Sequence, residues 1–548
     1  MTDVPTLTSA TAANYCTLNP LNLYTGTSCA NGNLQGTTVT GAECGIYGTI
    51  GMTSGKFYWE STPSSISSGG CMIGIAPATT QGSSGSPGLS VTTGYGYYTT
   101  GSKYNGAGAA YGNTFTTSDV IGCALDLDNG KIWWSKNGVF QASGDPAAGT
   151  NAAFTSVSGT FVPGIGNGGS GSFSTVNVNF GQQPFVYTPP TGFKALNTFN
   201  LPAPPSGIGT TAATLANRYM DVLLHNGNGG SQSITGLNFA PDFWWVKSRN
   251  LSGSHCLFDQ IRGANSSLFS ELTLGENNNW TGQSFNSNGV TADAAYSYQT
   301  NGTGYTFVDW FWKANGAGSS NTQGSITSTV SANTTSGFSV VTYTGTGANA
   351  TVGHGLGVAP SMIIVKNRVD GSTLWSVYHA SVGAGSVAHL NTTAAFSASG
   401  DWNSTTPTST VFSVGSSSRT NASTQGIVAY CFAQIAGYSA FGSYTGNGSS
   451  DGPFIFTGFR PRWFFIKCSS TAGENSMLYD TSMNPYNQAQ EWLSPNTSDA
   501  SNTAGGYFID FVSNGVKIRQ AGPTGNASGR TYIYMAFAES PLKFANAR

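Results

Sequence analysis

The chain repeats one short signature three times, and this repetition limits its possible folds more than any other feature. A proline, a variable residue, four apolar residues and a lysine occur at 241–247, 360–366 and 461–467. A Gly-rich turn precedes each signature and an aromatic strand follows it; the turns are 225–229, 343–347 and 444–448, and the strands are 307–312, 427–432 and 534–537. A repeat of about 100 residues is long enough to fold as a small domain of its own. The second part of the chain is therefore predicted to hold three related domains.

Composition gives the fold class of the whole chain. Aromatic residues make up 12% of the 548 residues, and Gly occurs 74 times. Disordered chains are poor in aromatic residues, so disorder is excluded. Large aromatic side chains on a chain rich in Gly, Thr and Asn predict many short strands joined by tight turns. We expect an all-β protein.

Charge and cysteine content exclude several classes of function. Lys and Arg together number 21 against 23 Asp and Glu, too few to neutralise a nucleic-acid backbone. No apolar run approaches the ~18 residues of a membrane span, and no signal peptide is visible, so we expect synthesis in a cytoplasm without membrane insertion. The eight cysteines contain no Cys-x-x-Cys pair. We therefore expect no metal site and no cofactor; the disulfide state stays open.

The segment from about 51 to 196 has the pattern of a β meander. Its clearest part, Asp119–Phe140, contains the pairs Asn129-Gly130 and Asn137-Gly138. Asn-Gly favours a type I′ hairpin turn because both residues tolerate positive φ. We therefore predict strands at 120–127, 131–136 and 138–140.

The order of motifs in this segment resembles that of a SPRY domain. Gly-Lys-Phe-Tyr-Trp-Glu comes first, then Ile-Gly-Ile, then the two Asn-Gly hairpins, and finally Val-Pro-Gly-Ile and Val-Asn-Val-Asn-Phe-Gly; these lie at 55–60, 73–75, 119–140, 162–165 and 176–181. The resemblance covers about 45–196. It implies a β-sandwich that binds partners through its inter-strand loops and has no catalytic centre.

One departure from the SPRY pattern supplies the candidate binding site. The long Gly/Ser/Tyr-rich stretch 79–112 falls where a SPRY fold would have a loop insertion, and it contains Tyr95, Tyr97, Tyr98, Tyr104 and Tyr111. Tyrosines among Ser, Gly and Asn are typical of antibody recognition loops. We predict that these tyrosines form a recognition loop; the alternative is a strand whose aromatic side chains pack over a sheet edge.

The domain organisation follows from these boundaries. We predict an N-terminal segment at 1–44, which is an anchor or an extra SPRY strand, and a SPRY-like sandwich at 45–196. A Pro-rich linker at 197–218 leads to the first β-repeat at 219–316. A Ser/Thr-rich linker at 317–336 then precedes the second and third repeats, at 337–436 and 437–548.

The repeat array resembles the tandem β-domains that follow a SPRY-like module in tail and other virion proteins of bacteriophages. This resemblance implies a structural protein of a phage particle, most simply a tail fibre or spike that binds a host surface glycan or protein without catalysis. Its other expected partners are virion proteins and further copies of itself, with a trimer as one option. A capsid decoration or fibre protein is the first alternative, and a bacterial adhesin without a visible export signal is a weaker one.

A polysaccharide depolymerase is the enzymatic alternative, since paired carboxylates carry out glycoside hydrolysis. Asp126 and Asp128 would lie on the same face of a strand. Asp before Asn-Gly is also favoured by turn geometry, and we prefer that interpretation. For the repeated Lys247, Lys366 and Lys467 we expect an apolar stem packed at the end of a buried strand with the ammonium in water.

Overall fold

The computed structural model describes residues 13–67, 69–82, 88–169, 171–293, 297–503 and 505–541. These residues divide between two compact units. The first lies within the chain up to Ala203 and includes Pro453–Gly458, and the second comprises Pro204–Gly452 and Phe459–Pro541. The boundary falls inside the predicted linker at 197–218.

The first unit is a β-sandwich of two antiparallel sheets. Its strands are β1 (Ser28–Ala30), β2 (Gln35–Thr37), β3 (Gly45–Tyr47), β4 (Lys56–Ile66), β5 (Cys71–Pro77), β6 (Tyr95–Tyr98), β7 (Ser102–Asn105), β8 (Ala107–Ala110), β9 (Ile121–Asp126), β10 (Lys131–Lys136), β11 (Val139–Phe140), β12 (Phe161–Asn167), β13 (Ser174–Asn179) and β14 (Lys194–Ala195). A 3₁₀ turn spans Gln141–Ser143. One sheet has the order β1-β2-β13-β4-β9-β10-β11, with β14 parallel to β4, and the other has the order β3-β12-β5-β6-β7-β8.

The hairpins predicted from Asn-Gly are confirmed at β9, β10 and β11. Asn137 and Gly138 have φ of 49° and 81°, as a type I′ turn requires. At the other pair only Gly130 has positive φ, and the Asp126 carboxylate accepts the Asn129 N–H instead. Strands β1 and β2, from the N-terminal segment, extend the first sheet.

The second unit holds the remaining elements apart from β34. Its strands are β15 (Met220–Asn226), β16 (Gln232–Thr235), β17 (Phe243–Ser248), β18 (Cys256–Asp259), β19 (Gly263–Phe269), β20 (Ser284–Asn286), β21 (Gly289–Ala292), β22 (Thr306–Trp312), β23 (Ser319–Asn321), β24 (Ser328–Asn333), β25 (Phe338–Thr344), β26 (Ala350–Gly353), β27 (Met362–Asn367), β28 (Ser376–His379), β29 (Ser386–His389), β30 (Ser397–Ala398), β31 (Val411–Val414), β32 (Gly426–Phe432), β33 (Ser439–Thr445), β34 (Phe454–Phe456, in the first unit), β35 (Phe459–Cys468), β36 (Met477–Asp480), β37 (Ile509–Val512), β38 (Gly515–Ile518) and β39 (Thr531–Pro541). Short helices α1 (Ser297–Thr300) and α2 (Ser418–Asn421) and 3₁₀ turns at Ala212–Thr214 and Ala216–Arg218 complete it. None of the helices described is long and apolar enough to cross a membrane.

The three repeats share one topology, which confirms the triplication. In each, the strand before the Gly-rich turn pairs with the closing aromatic strand. The closing strand also pairs with the signature strand, and the signature strand pairs with a fourth strand. The three sheets contain the orders β15-β22-β17-β18, β25-β32-β27-β28 and β33-β39-β35-β36. The predicted all-β fold of sheet and sandwich domains is confirmed, since only short helices interrupt the strands of the described residues.

The predicted linker at 317–336 is instead part of the second repeat. Strands β23 and β24 lie in this stretch, and β24 pairs with β25 along its whole length. Burial explains the difference. Ser328, Val330 and Ser331 are buried, so the small side chains of this stretch pack within the repeat. The composition had suggested an exposed spacer.

The repeats pack against one another around a central aromatic cluster. The last aromatic residues of the three closing strands, Trp312, Phe432 and Phe537, meet with ring centroids 5.7–6.3 Å apart. All three side chains are buried. One residue from each repeat thus meets at a common centre, as a pseudo-threefold arrangement requires.

Contacts between the repeats follow the same cycle. The fourth strand of repeat 1 meets repeat 2 where the Tyr430 hydroxyl donates to Asp259. Repeat 2 meets repeat 3 where His379 Nε2 lies 3.2 Å from the Tyr534 carbonyl. Repeat 3 meets repeat 1 where Trp310 Nε1 donates to Asp480 at 3.0 Å. The three repeats therefore form a closed ring.

The signature lysines do not extend into water, contrary to our expectation. Lys247, Lys366 and Lys467 are at most 1% exposed, and their ammonium groups donate to backbone carbonyls. In repeats 2 and 3 the acceptor includes a carbonyl from the preceding repeat, Thr273 or Thr392, at 2.8 Å. A sequence pattern within one repeat could not reveal acceptors supplied by the preceding repeat.

Candidate recognition site

Four of the five candidate tyrosines lie in strands and not in a loop, while Tyr111 follows β8 and residues 83–87 of the stretch 79–112 lie outside the described residues. These strands, β6, β7 and β8, add to the edge of the second sheet of the first unit. Tight turns with positive φ at Gly101 and Gly106, 86° and 73°, connect them. Tyr is a strong β-former, and its alternation with Gly and Ser matches the pleat of a half-buried sheet.

Three of the five candidate tyrosines pack in the core. Tyr97 is fully buried and lies against Trp134 and Tyr111, with ring centroids 6.0 and 5.6 Å away. Tyr95 packs edge-on against Phe154. The Tyr111 hydroxyl accepts the Trp134 backbone N–H, and burial raises its pKa to about 12. These side chains are therefore placed to stabilise the sandwich.

The other two tyrosines reach the opposite face of the sheet. Tyr98 and Tyr104 pack edge to face with centroids 5.8 Å apart. Both line a cleft of about 620 Å³, which we call the recognition cleft; its other lining residues are Glu43, Met72, Ser90, Val91, Thr92, Gly106, Asn167 and Gly168. A cleft of this volume is within the usual range of ligand pockets.

One wall of the recognition cleft is a strap, residues 88–92, tied to the β7–β8 turn. The Gly106 N–H donates to the Ser90 carbonyl at 2.8 Å. Asn105 Nδ2 donates to the carbonyls of Thr92 and Gly94, each at 2.8 Å. These bonds hold the wall in place before any ligand arrives, which reduces the ordering cost of binding.

A buried asparagine holds the other wall. Asn167 is fully buried, and its Nδ2 donates to the carbonyls of Val39 and Ala42 at 2.9 and 2.7 Å. Its Oδ1 accepts the Cys44 N–H at 2.8 Å. The amide thus fixes the backbone on both sides of Glu43, whose carboxylate lies close enough to help raise the pKa of Tyr98, after burial and Tyr104.

The carboxylates considered for catalysis serve the hairpin instead. Asp126 is buried, pairs with Lys56 at 2.9 Å and accepts two hydrogen bonds from Asn129. Burial would raise its pKa, but these bonds outweigh it and the pKa is lowered. Asp128 accepts the Gly55 N–H at 2.7 Å. Both carboxylates thus have structural partners, either in the turn or at the start of β4.

Part of the recognition cleft had a signal in the sequence and part had none. The strap and both cleft tyrosines lie in the Gly/Ser/Tyr-rich stretch 79–112, whereas Glu43 and Asn167 come from two other segments and belong to no motif. Among the residues that the structure describes, no cluster of three or more His, Cys, Asp or Glu side chains is placed to hold a metal ion. All eight cysteines are free.

Comparison with known families identifies both units. A family model described as "Domain of unknown function (DUF7483)" matches residues 216–541, more than half of the chain and the whole ring of repeats. The chain belongs to the DUF7483 family. A SPRY domain model matches residues 56–183, which include the strap and both cleft tyrosines but not Glu43. The first unit is therefore a SPRY domain and the ring is the DUF7483 region.

Known relatives match a part of the chain. Ran-binding protein 10 of Danio rerio is 40% identical over 83 residues, which cover 15% of this chain and 12% of that protein. Probable ATP-dependent RNA helicase ddx1 of Dictyostelium discoideum is 33% identical over 159 residues, 29% of this chain and 18% of that protein. The matches span about an eighth to a fifth of these relatives' length.

Solved structures also match at the SPRY domain. The SPRY domain of human HERC1 aligns over 30% of this chain and 99% of its own length, with 20% identity and a TM-score of 0.26. The TRIM65 PSpry domain aligns over 30% of this chain and 90% of its own, with 12% identity and a TM-score of 0.22.

Proposed function

We propose that this DUF7483 protein is a non-catalytic recognition protein whose SPRY domain binds a partner through the recognition cleft. The observation that carries the proposal is the fixed cleft itself, with two tyrosines, several hydroxyl groups and one carboxylate around about 620 Å³. Tyr presents a large amphipathic surface at low conformational cost, which suits recognition. In this proposal the DUF7483 ring is the rigid body from which the SPRY domain acts.

We further propose that the protein is part of a bacteriophage particle, as a tail fibre or spike that binds a host surface glycan or protein. The support is the sequence resemblance of a SPRY-like module followed by triplicated β-domains, together with a charged fraction of only 8%. Surface ion pairs weaken as salt screens them, so neutral polar side chains suit a particle exposed to variable salt.

Two measurements on full-length protein test this proposal. Gold-labelled antibody against residues 219–548 is expected to mark the tails of particles from a culture that makes the protein. Soluble full-length protein at micromolar concentration is expected to compete with particles for adsorption to host cells. Thr92→Trp, which fills the recognition cleft, is expected to lose that competition, whereas Tyr486→Ser, on a side chain 82% exposed in the ring, keeps it.

The outcomes separate the two parts of the proposal. Absence of label on any particle contradicts the placement on a phage. Label spread over the capsid supports the decoration alternative and contradicts the tail placement. Labelled tails with no competition by wild-type protein contradict recognition of the host surface.

A further inference from the structure

We infer that the recognition cleft binds a cationic side chain, Arg or Lys, of a protein partner. This inference rests on the proposed recognition function and names the ligand chemistry of the same cleft. It follows from the charge of the lining, from the two tyrosines and from the apolar residues beside them.

Glu43 is the charged residue on which the inference depends. The described part of the first unit contains six carboxylates, and five of them have hydrogen-bond or ion-pair partners within the unit: Glu60, Asp119, Asp126, Asp128 and Asp145. Glu43 has no hydrogen bond or ion pair among the described residues, although it is only partly exposed. Among the described residues that line the cleft there is no Lys, Arg or His. A partly desolvated carboxylate without a cation favours a ligand that brings one.

The tyrosines add a second source of attraction for a cation. A cation near the face of an aromatic ring is attracted by the electrons of the ring, more strongly as water is excluded. The SPRY domain already uses this contact on the other side of the same hairpin, where the Lys103 ammonium lies 4.8 Å from the Phe154 ring and 5.7 Å from the Tyr111 ring. Lys103 precedes Tyr104, and neighbouring strand residues point to opposite faces. The hairpin thus has a cation on its core side and tyrosines without one on its cleft side.

Apolar lining residues distinguish a side chain from an amino sugar. Met72 and Val91 line the cleft together with Tyr98 and Tyr104. Arg and Lys carry their charge on an apolar stem that packs along such surfaces. An amino sugar would instead place hydroxyl groups there. The volume of about 620 Å³ exceeds one guanidinium group, so flanking peptide backbone can reach the hydroxyl groups of Ser90 and Thr92.

The test uses full-length protein and three capped tripeptides of the form acetyl-Gly-X-Gly-amide, with X as Arg, Lys or norleucine. We expect the Arg and Lys peptides to bind with millimolar Kd by NMR titration, and the norleucine peptide to bind at least about tenfold more weakly. Glu43→Gln is expected to raise the Kd of the Arg peptide about tenfold, and Tyr104→Leu about threefold to tenfold. Asp145→Asn, a matched carboxylate change in the same unit, is expected to leave it unchanged.

Folding and function are controlled separately. Glu43→Gln conserves shape at a partly exposed site, so an unchanged melting temperature is expected and confirms that the variant is folded. Equal binding of the norleucine peptide, or binding of glucosamine in preference to every peptide, overturns the inference. If the Glu43→Gln protein competes for adsorption as well as wild type, the cationic ligand is wrong while the recognition function stands. If wild type itself does not compete, it is the proposed function that fails.

Discussion

Repeat 1 and its two neighbours in the ring make the same hydrogen bond with different chemistry. Before the Gly-rich turn, Tyr343 and Tyr444 donate their hydroxyls to the carbonyls of Thr420 and Gly525, at 2.5 and 2.6 Å. The equivalent residue in repeat 1 is His225, whose Nε2 lies 3.0 Å from the Thr300 carbonyl. The tyrosine hydroxyl that makes this bond in repeats 2 and 3 is thus replaced in repeat 1 by a ring nitrogen of histidine.

A histidine at this position requires an acceptor for its second ring nitrogen. His225 Nδ1 lies 2.6 Å from Asp309, a fully buried carboxylate, so both ring nitrogens face acceptors and the doubly protonated imidazolium satisfies both. Burial opposes this charge, but Asp309 outweighs it and raises the His225 pKa. The matching residue in repeat 2 is Ala429, and in repeat 3 it is Tyr534. The histidine of repeat 1, His225, thus depends on the presence of the carboxylate of Asp309.

The interfaces between repeats also differ, in how deeply their charged side chains are buried. Between repeats 1 and 2, Arg262 is fully buried and bonds to Asp259, Glu276 and the Tyr430 hydroxyl. Between repeats 3 and 1, the Arg249–Glu491 pair is partly exposed. The two arginines hold different places in their repeats, since the counterpart of Arg249–Glu491 between repeats 1 and 2 is Arg368–Glu276, whose arginine is also partly exposed. Burial is what separates Arg262 from Arg249, because exposed pairs contribute about 0–1 kcal/mol and breaking a buried one costs about 3–5 kcal/mol.

The largest expected effect comes from Arg262→Met. It leaves the buried Asp259 without its cation, whereas Glu276 keeps its pair with Arg368, and we expect a loss of about 4–5 kcal/mol in the free energy of unfolding. Arg249→Met is the control at a partly exposed pair, with a loss of about 1 kcal/mol or less. Urea denaturation of the full-length protein measures both. Equal losses for the two variants would contradict the ranking of the interfaces by burial.

The next effect comes from His225→Tyr, which puts the residue of repeats 2 and 3 into repeat 1. Asp309 then stays buried without its cation, so we expect a loss of about 3 kcal/mol. Adding Asp309→Ala, which copies repeat 2, is expected to recover most of it. Some loss remains because Trp244 Nε1 donates to Asp309 at 2.9 Å. A double variant less stable than the single one would show that the pair is not exchangeable between repeats.

The buried lysines predict a pH dependence that all repeats share. Burial lowers the pKa of Lys366 to about 8, from 10.5 in the unfolded chain. Between pH 8 and 10.5 the unfolded state therefore binds more protons, and this lysine makes stability rise with pH, by about 2–3 kcal/mol over the window. The measurement is the stability of wild type minus that of Lys366→Met across this range, since thiol and phenol titrations cancel in the difference. A flat difference would mean that the ammonium is not desolvated.

The smallest effect tests the equivalence of repeats 2 and 3. Tyr343→Phe and Tyr444→Phe each remove one hydroxyl and leave one buried carbonyl short of a donor. Each is expected to cost about 1–2 kcal/mol, and the two costs should agree within about 0.5 kcal/mol. Thermal unfolding of the two single variants gives the comparison. A large inequality would show that the pseudo-threefold equivalence is geometric but not energetic.

The features that could be predicted from the sequence are those determined by residues close together in the chain. The signature strands and the Asn137-Gly138 turn follow from local periodicity and φ preferences, and both were predicted. The ring, the carbonyl partners of Lys366 and the recognition cleft depend on segments far apart in the chain. The bond from Arg262 to Tyr430, for instance, joins residues 168 positions apart. Composition also misled at 317–336, because Ser and Thr are common both in spacers and in small, buried strands.

Closure of the ring has a consequence for the order of events during protein synthesis. The contact between Arg249 and Glu491 joins residues 242 positions apart, so repeat 1 must leave the ribosome long before its partner in repeat 3 has been translated. Repeats 1 and 2 can dock while translation continues, because Arg262 and Glu276 need only residues up to Tyr430. Until the third repeat arrives, the nascent pair has two uncovered flanks, and the last repeat made is the one that seals both.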